Sequence, residues 1–423
     1  MTRQPTGQFL RLRNDFVVAS LRQAQGRLLR MTALAWLAAC GTAGEAEVAL
    51  NVPKVDTLPG GIVHLVNTGP TAWRDTSGWR WVAGATINPD EGSPGELGDI
   101  STLTIGDDGT VFALQRKPTT IKVFGPDGAF LRDIGKEGDG PGELRDGYMG
   151  MRGDTILFQS PGATRLSYFL TSGTFVKSVP SPCCYFWPRL TADSAGRVWV
   201  PGSGKNDKAA WFRFKMDGTI ADTFEMPAQD DFRKMKTWTV TLKRGSNSMS
   251  MVTGVPMQPS TSFEPRVDGM IVGGNSTAYR FALLRGAADT VRIFEASAPT
   301  VAMSAAWRDS IFNAATAHND PDFQKSLRAS AKKEDIPTIW PVWTHMSLDG
   351  AGRLWVALPG DGGEVSRLQV FDRDGKLLGD VPTPNRKMFK NAAWGRDWLA
   401  VADEDADGRP VIKTYHLQTT RKK

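Results

Sequence analysis

The chain carries only three cysteines and four histidines in 423 residues. That excludes a scaffold held by several disulfides, and a zinc centre would need most of those side chains brought to one place. Charge of one sign is missing too, once the N-terminus is set aside. The formal charge is +6, but residues 1–39 hold six arginines (Arg3, Arg11, Arg13, Arg22, Arg27, Arg30) against Asp15, leaving 45 basic and 44 acidic residues from Cys40 onward. A body so balanced lacks the basic footprint that phosphate backbones require, and no zinc-finger, homeodomain or RNA-recognition pattern occurs, so no nucleic-acid partner is expected. There is no P-loop, no Gly-x-Ser-x-Gly and no His-Glu-x-x-His, which removes the commonest local signatures of catalysis. No apolar run reaches the about 20 residues a membrane-spanning helix needs.

What the N-terminus does contain is a targeting pattern. Arg22, Arg27 and Arg30 precede the apolar run Met31 to Ala39, the order of a secretory leader. The run ends in Leu37-Ala38-Ala39-Cys40-Gly41, which resembles a bacterial lipobox. That resemblance implies lipidation at Cys40, attachment to the membrane through the lipid alone, and a place in the cell envelope. With Gly41 rather than Asp after the cysteine, it implies the outer membrane or the periplasmic face of a Gram-negative cell. An ordinary signal peptide and a buried cysteine are the competing readings. The remaining cysteines, Cys183 and Cys184, are adjacent, so in an oxidising compartment they are disulfide candidates, either as a loop clamp or as a redox pair.

Abundant Gly (44), Pro (26) and Trp (14) point to many turns and an aromatic interior, and internal repetition gives them order. Leu103 to Ala113 with Ile121 to Leu131, Leu190 to Val200 with Trp211 to Ile220, and Met346 to Val356 with Leu368 to Leu378 share one grammar. Each is an apolar strand, an Asp/Gly turn, a strand carrying an aromatic (Phe112, Trp199, Trp355), a variable loop, and two strands joined by a second Asp-Gly turn. Asp-Gly between alternating apolar residues is a strong hairpin signal, and four antiparallel strands make one propeller blade. Weaker copies lie at Tyr148 to Val179 and Val267 to Ala296, and a last blade runs from Ala392 to Leu417. Ring closure calls for an N-terminal strand, Ile62 to Val66 or Trp79 to Val82. The expected fold is therefore all-β: a six-bladed β-propeller of four-stranded antiparallel blades. The expected organisation is a leader at 1–39 ending at Cys40, a linker at 41–54, a propeller at 55–418 and a basic tail at 419–423. Helical spacing of Ala306, Ile311, Ala314, Phe323 and Leu327, ended by Pro337, marks a short helical insertion at 303–335 between blades five and six.

With these residues the chain resembles the NHL-like six-bladed propellers of bacterial lipoproteins. Ile134-Gly-Lys-Glu-Gly-Asp-Gly-Pro-Gly-Glu-Leu144, echoed at Glu91-Gly-Ser-Pro-Gly-Glu-Leu97, carries that likeness. Such a fold does not by itself assign function. Its implied geometry puts the loops leading into each blade's first strand, with the loops between second and third strands, on one face. That face collects Arg116, Lys117, Arg145, Cys183, Cys184, Trp187, Arg189, Trp340, Trp343 and His345. Aromatics with scattered cations suit a planar, sugar-like or anionic small molecule, and Arg116, Arg145, Trp187, Arg189, Trp340, Trp343 and His345 are the ligand-binding candidates. The tryptophans read equally well as packing between blades. No catalytic residue stands out. The expected role is binding of a small molecule or an envelope protein by a monomer without an evident cofactor. The alternative is a lactonase- or lyase-type hydrolase using Ca or Zn, to which Asp99, Asp146 and Asn275 could contribute oxygen ligands.

Overall fold

The structure, a computed structural model, describes residues 52–68, 71, 79–160, 164–181, 190–203, 209–225, 235–244, 247–360, 365–385 and 387–419. Its turns do what the Asp-Gly pairs demand: Gly109 and Gly375 both sit at φ +86°, the left-handed region that a side chain resists. The strands they join form six antiparallel sheets arranged as the blades of a propeller.

Blade one closes the ring. It contains Ala392–Trp394, Trp398–Glu404 and Pro410–Thr419 from the C-terminus and, as its outermost strand, β3 (Trp79–Ile87) from the N-terminus. Blades two to six then follow in chain order at 99–134, 148–180, 191–225, 261–296 and 345–382. The other N-terminal segment considered for closure goes elsewhere. β1 (Lys54–Leu58) and β2 (Ile62–Asn67) form a hairpin, and β2 pairs in parallel with the outer strand Asp289–Ala296, giving blade five a six-stranded sheet. Asn67 then pins blade five to blade six. Its amide donates to the carbonyls of Glu295 (3.1 Å) and Gly375 (3.0 Å) and accepts from Leu377 N (2.8 Å).

The apolar core is not central but divided among the blade interfaces. Each of six clusters draws on two neighbouring blades, as where Phe112 and Leu114 of blade two meet Met149 and Phe158 of blade three. Alternation explains this: a strand sends successive side chains to opposite faces of its blade, and both faces are covered by neighbours.

Two blades share a polar clamp at the turn after the first strand. In blade six, Asp349 accepts from Ala351 N and Arg353 N (both 2.9 Å), Arg353 Nε (2.6 Å) and Trp355 Nε1 (2.7 Å). Blade four repeats it with Asp193, Ala195, Arg197 and Trp199. Burial pushes the Asp349 carboxyl above its ordinary range, while Arg353 and Trp355 pull it down.

Two insertions build a cap. Helices Ala305–Thr316 and Pro321–Ser330 lie between blades five and six, as the spacing predicts. Ser304 caps the first by accepting from Trp307 N, and Asp320, followed by Pro321, caps the second. Against them lies a two-stranded ribbon between blades four and five, Thr237–Arg244 and Asn247–Gly254, which the repeat spacing does not foresee. Trp238, Val240, Ile311, Leu327 and Trp340 share their core, and Ser326 exchanges hydrogen bonds with Thr241. Among the described residues no helix is long and apolar enough to cross a membrane.

Asn67→Ala leaves Leu377 N–H buried without a partner and is expected to cost about 2–3 kcal/mol in urea unfolding. Asp349→Ala strips four donors of their acceptor, two of them on a partly buried guanidinium and a buried indole. It should cost about 3–5 kcal/mol, more than Asn67→Ala on the same assay.

Candidate functional site

The loop face is where each blade's innermost strand begins and its second strand ends. Both cap insertions precede innermost strands, those starting at Thr261 and His345, so the cap rises from this same face.

Across blades two and three the mouth of the channel carries a charged bridge. Asp99 opens the innermost strand of blade two, opposite Arg116 at the end of the second strand. Arg116 Nε donates to Asp146 Oδ1 at 2.8 Å, on the loop leading into blade three, and NH1 lies 3.9 Å from Asp99 Oδ2. Arg116 is 39% exposed and the carboxylates 71% and 67%. Water screens such a trio, so it adds little stability, but it leaves the guanidinium accessible at a fixed position. Tyr148 begins the next innermost strand. Burial, then the charge of Asp146, raises its phenol above the ordinary range against the opposing pull of Arg116, so it stays a hydrogen-bond donor at neutral pH. Arg145 forms a close pair with Asp139 in the same loop.

Further round the same face, blades six and one supply aromatic surface, blade one lying next to blade two. His345 is exposed and stacks on Phe389 (5.4 Å between centroids, 22° between planes), and Phe389 meets Trp394 at 5.4 Å. Trp394 Nε1 and, deeper in the same interface, Trp81 Nε1 are buried with no acceptor among the described residues. Beside them Asp403 takes hydrogen bonds from Lys413 (2.8 Å) and Lys387 (2.9 Å). Partial burial opposes its ionisation, but the two ammonium groups win and hold the carboxyl well below its usual range.

The other candidates scatter. Trp343 is buried between blades five and six, donating to Ala278 O at 3.1 Å, and Trp340 is buried in the cap core against Trp307. Arg116, Arg145 and His345 are at the loop face; Cys40, Cys183, Cys184, Trp187 and Arg189 lie outside the described residues. Sequence reasoning passed over Phe389 and Lys387. They sit in the loop leading into the last blade, so the rule that selected the other leading loops would have found them.

The described side chains named as oxygen or histidine ligands do not gather into a Ca or Zn site. Among the described residues no three His, Cys, Asp or Glu side chains gather as ligands. Asp99 and Asp146 face Arg116, and Asn275 is spent on Thr261 and Thr277 N. The histidines are dispersed: His64 pairs with Glu295, His318 packs on Phe323 and His416 on Trp398.

No family model and no curated protein matches the chain. Among solved structures it is similar to a Bacteroides fragilis protein described as exported (11% identity, 84% of this chain and 98% of that one, TM-score 0.44). It is similar also to a DUF4221 family member from Bacteroides vulgatus (13%, 82% and 100%, TM-score 0.40) and to virginiamycin B lyase from Staphylococcus aureus (12%, 80% and 100%, TM-score 0.39). Likeness this distant assigns no activity, and the propeller rests on the strand pairing itself.

Asp403→Asn should lower stability by roughly 1–2 kcal/mol at pH 7. The carboxyl is depressed in the fold, so its contribution is full above the ordinary carboxylate range and fades as pH falls below about 4. Unfolding midpoints of the two proteins should therefore converge on acidification.

Proposed function

We propose that the chain is an exported lipoprotein, anchored through Cys40, whose NHL-like propeller binds a small ligand on its loop face. The observation that carries this is the Arg116 bridge. One guanidinium is held between carboxylates of two blades at the channel mouth, accessible, and too screened for its place to be explained by stability. On the same face, at blades six and one, His345 and Phe389 offer a flat aromatic surface. A polar fork and an aromatic plate on one face are the composition of a site that orients one small molecule by hydrogen bonds and holds it by stacking. The reading assigns binding rather than a reaction because the charged side chains at the mouth engage one another as ion pairs. Among the described residues no acid, base or nucleophile there is paired for proton transfer. The leader pattern at residues 22–40 supports export and lipidation, and the blade grammar supports the NHL-like assignment.

A fragment library screened by ligand-observed NMR tests the site. Binders of the wild-type chain should lose about tenfold or more in affinity with Arg116→Ala and with His345→Ala, each a surface change that leaves the fold intact. Ligands that bind both variants as well as wild type would place recognition elsewhere. Lipidation is read separately: Cys40→Ser should move the protein from the membrane fraction to the soluble one.

A further inference from the structure

The cap ribbon has an edge unlike the outer edges of the blades. The outer strands of the blade sheets all carry charge: Arg132 and Asp133, Lys177, Asp222 and Glu225, Lys54 and Asp56, Asp380, and Arg80. Charges along an edge discourage pairing with another chain. Asn247-Ser-Met-Ser-Met-Val-Thr-Gly254 carries none. It pairs on one side with Thr237–Arg244, and among the described residues no strand pairs with its other side.

Its side chains are also placed for pairing. Met249 and Met251 lie opposite Leu242 and Val240, on the face that packs on the cap core, yet Met249 is 54% exposed. Val252, on the other face, is 48% exposed. We propose that this edge is a homodimer interface, in which the ribbons of two copies of the chain join into one four-stranded antiparallel sheet.

The strand is self-complementary. Antiparallel pairing about a two-fold axis normal to the sheet joins residues of equal parity, because facing side chains must point to the same side. Centred on Ser250, it sets Met249 of each copy against Met251 of the other, extending the apolar face, and Ser248 against Val252. With no charge in the strand, no like charges meet, whereas the blade edges would oppose theirs. One added strand pair covers less than the about 800 Å² per partner typical of a stable interface, so dissociation constants of roughly 10–100 µM are expected in solution. This interface replaces the monomer expected from sequence and does not depend on the ligand site.

The test uses the full chain carrying Cys40→Ser, so that no lipid contributes. Sedimentation velocity from about 1 to 200 µM should show the mass rising towards twice the monomer. Ser250→Lys, a change at an exposed position, should remain monomeric with an unchanged circular dichroism spectrum. Ser250 faces its own symmetry mate at about 4.5–5.5 Å between Cα atoms, within disulfide reach. Ser250→Cys should therefore cross-link into dimers on oxidation several-fold more than Ser248→Cys, whose mate lies four residues away along the strand. A chain monomeric throughout overturns the proposal. So does a dimer that survives Ser250→Lys, or equal cross-linking of the two cysteine variants.

Discussion

Everything in this molecule depends on closing a ring whose core exists only between its parts. Each blade exposes two apolar faces, and neither is covered until a neighbour arrives, so an open arc of five blades would leave two faces in water. Closure joins the ends of the chain: β3 from the N-terminus completes the blade built by the last three strands. The chain adds a second fastening. The β1–β2 hairpin docks on blade five and Asn67 reaches into blade six, so the N-terminal region clasps blades five, six and one in succession. The strands furthest apart in sequence thereby hold the ring, so its completion depends on non-local pairing.

The same repetition that builds the ring separates structure from function by face. Turns after the first and third strands are short and specified from within, as by Asp349, whose carboxylate organises its own turn, a guanidinium and a neighbouring indole. The clamp needs all three residue types together. Blade two has Gly106, Thr110 and Phe112 in the corresponding places and does without it. Loops on the opposite face carry no such constraint. They vary in length, they hold both cap insertions, and they bring together the groups at the channel mouth.

Much of this was legible in the sequence, and the limits have physical causes. The turns that open on Asp or Gly and end at Gly109, Gly196 and Gly352 gave away the blades because glycine alone adopts their backbone cheaply. The helices after Ser304 and Asp320 announced themselves by apolar spacing ended at Pro337. What escaped was pairing. Ile62–Asn67 and Trp79–Ile87 both read as strands, but alternation says which faces are buried, not which strand lies alongside, so only structure could divide closure from clasp. The cap ribbon escaped for the same reason. Arg116 and His345 reach the loop face as expected because loop position follows from blade register. Trp340 and Trp343, chosen by that same logic, lie buried because an aromatic ring at a loop's end can turn inward as readily as outward.

The cap gives the clearest view of how sequence pattern and neighbour decide together. Thr237–Arg244 and Asn247–Gly254 have the alternation of a half-buried ribbon, one face apolar. The helices cover that face at Trp238 and Val240 but leave Leu242 and Met249 at its margin. An isolated two-stranded ribbon is marginal in water, so its persistence rests on the helices, and through Trp238 Nε1 on Asp335 (3.1 Å). A sheet supported on one side only, with an uncharged edge on the other, is incomplete by the standards this protein keeps at every blade. The electrostatic guarding of those blade edges shows that its sequence answers the problem wherever pairing must be prevented, and the bare edge marks the place where it is not.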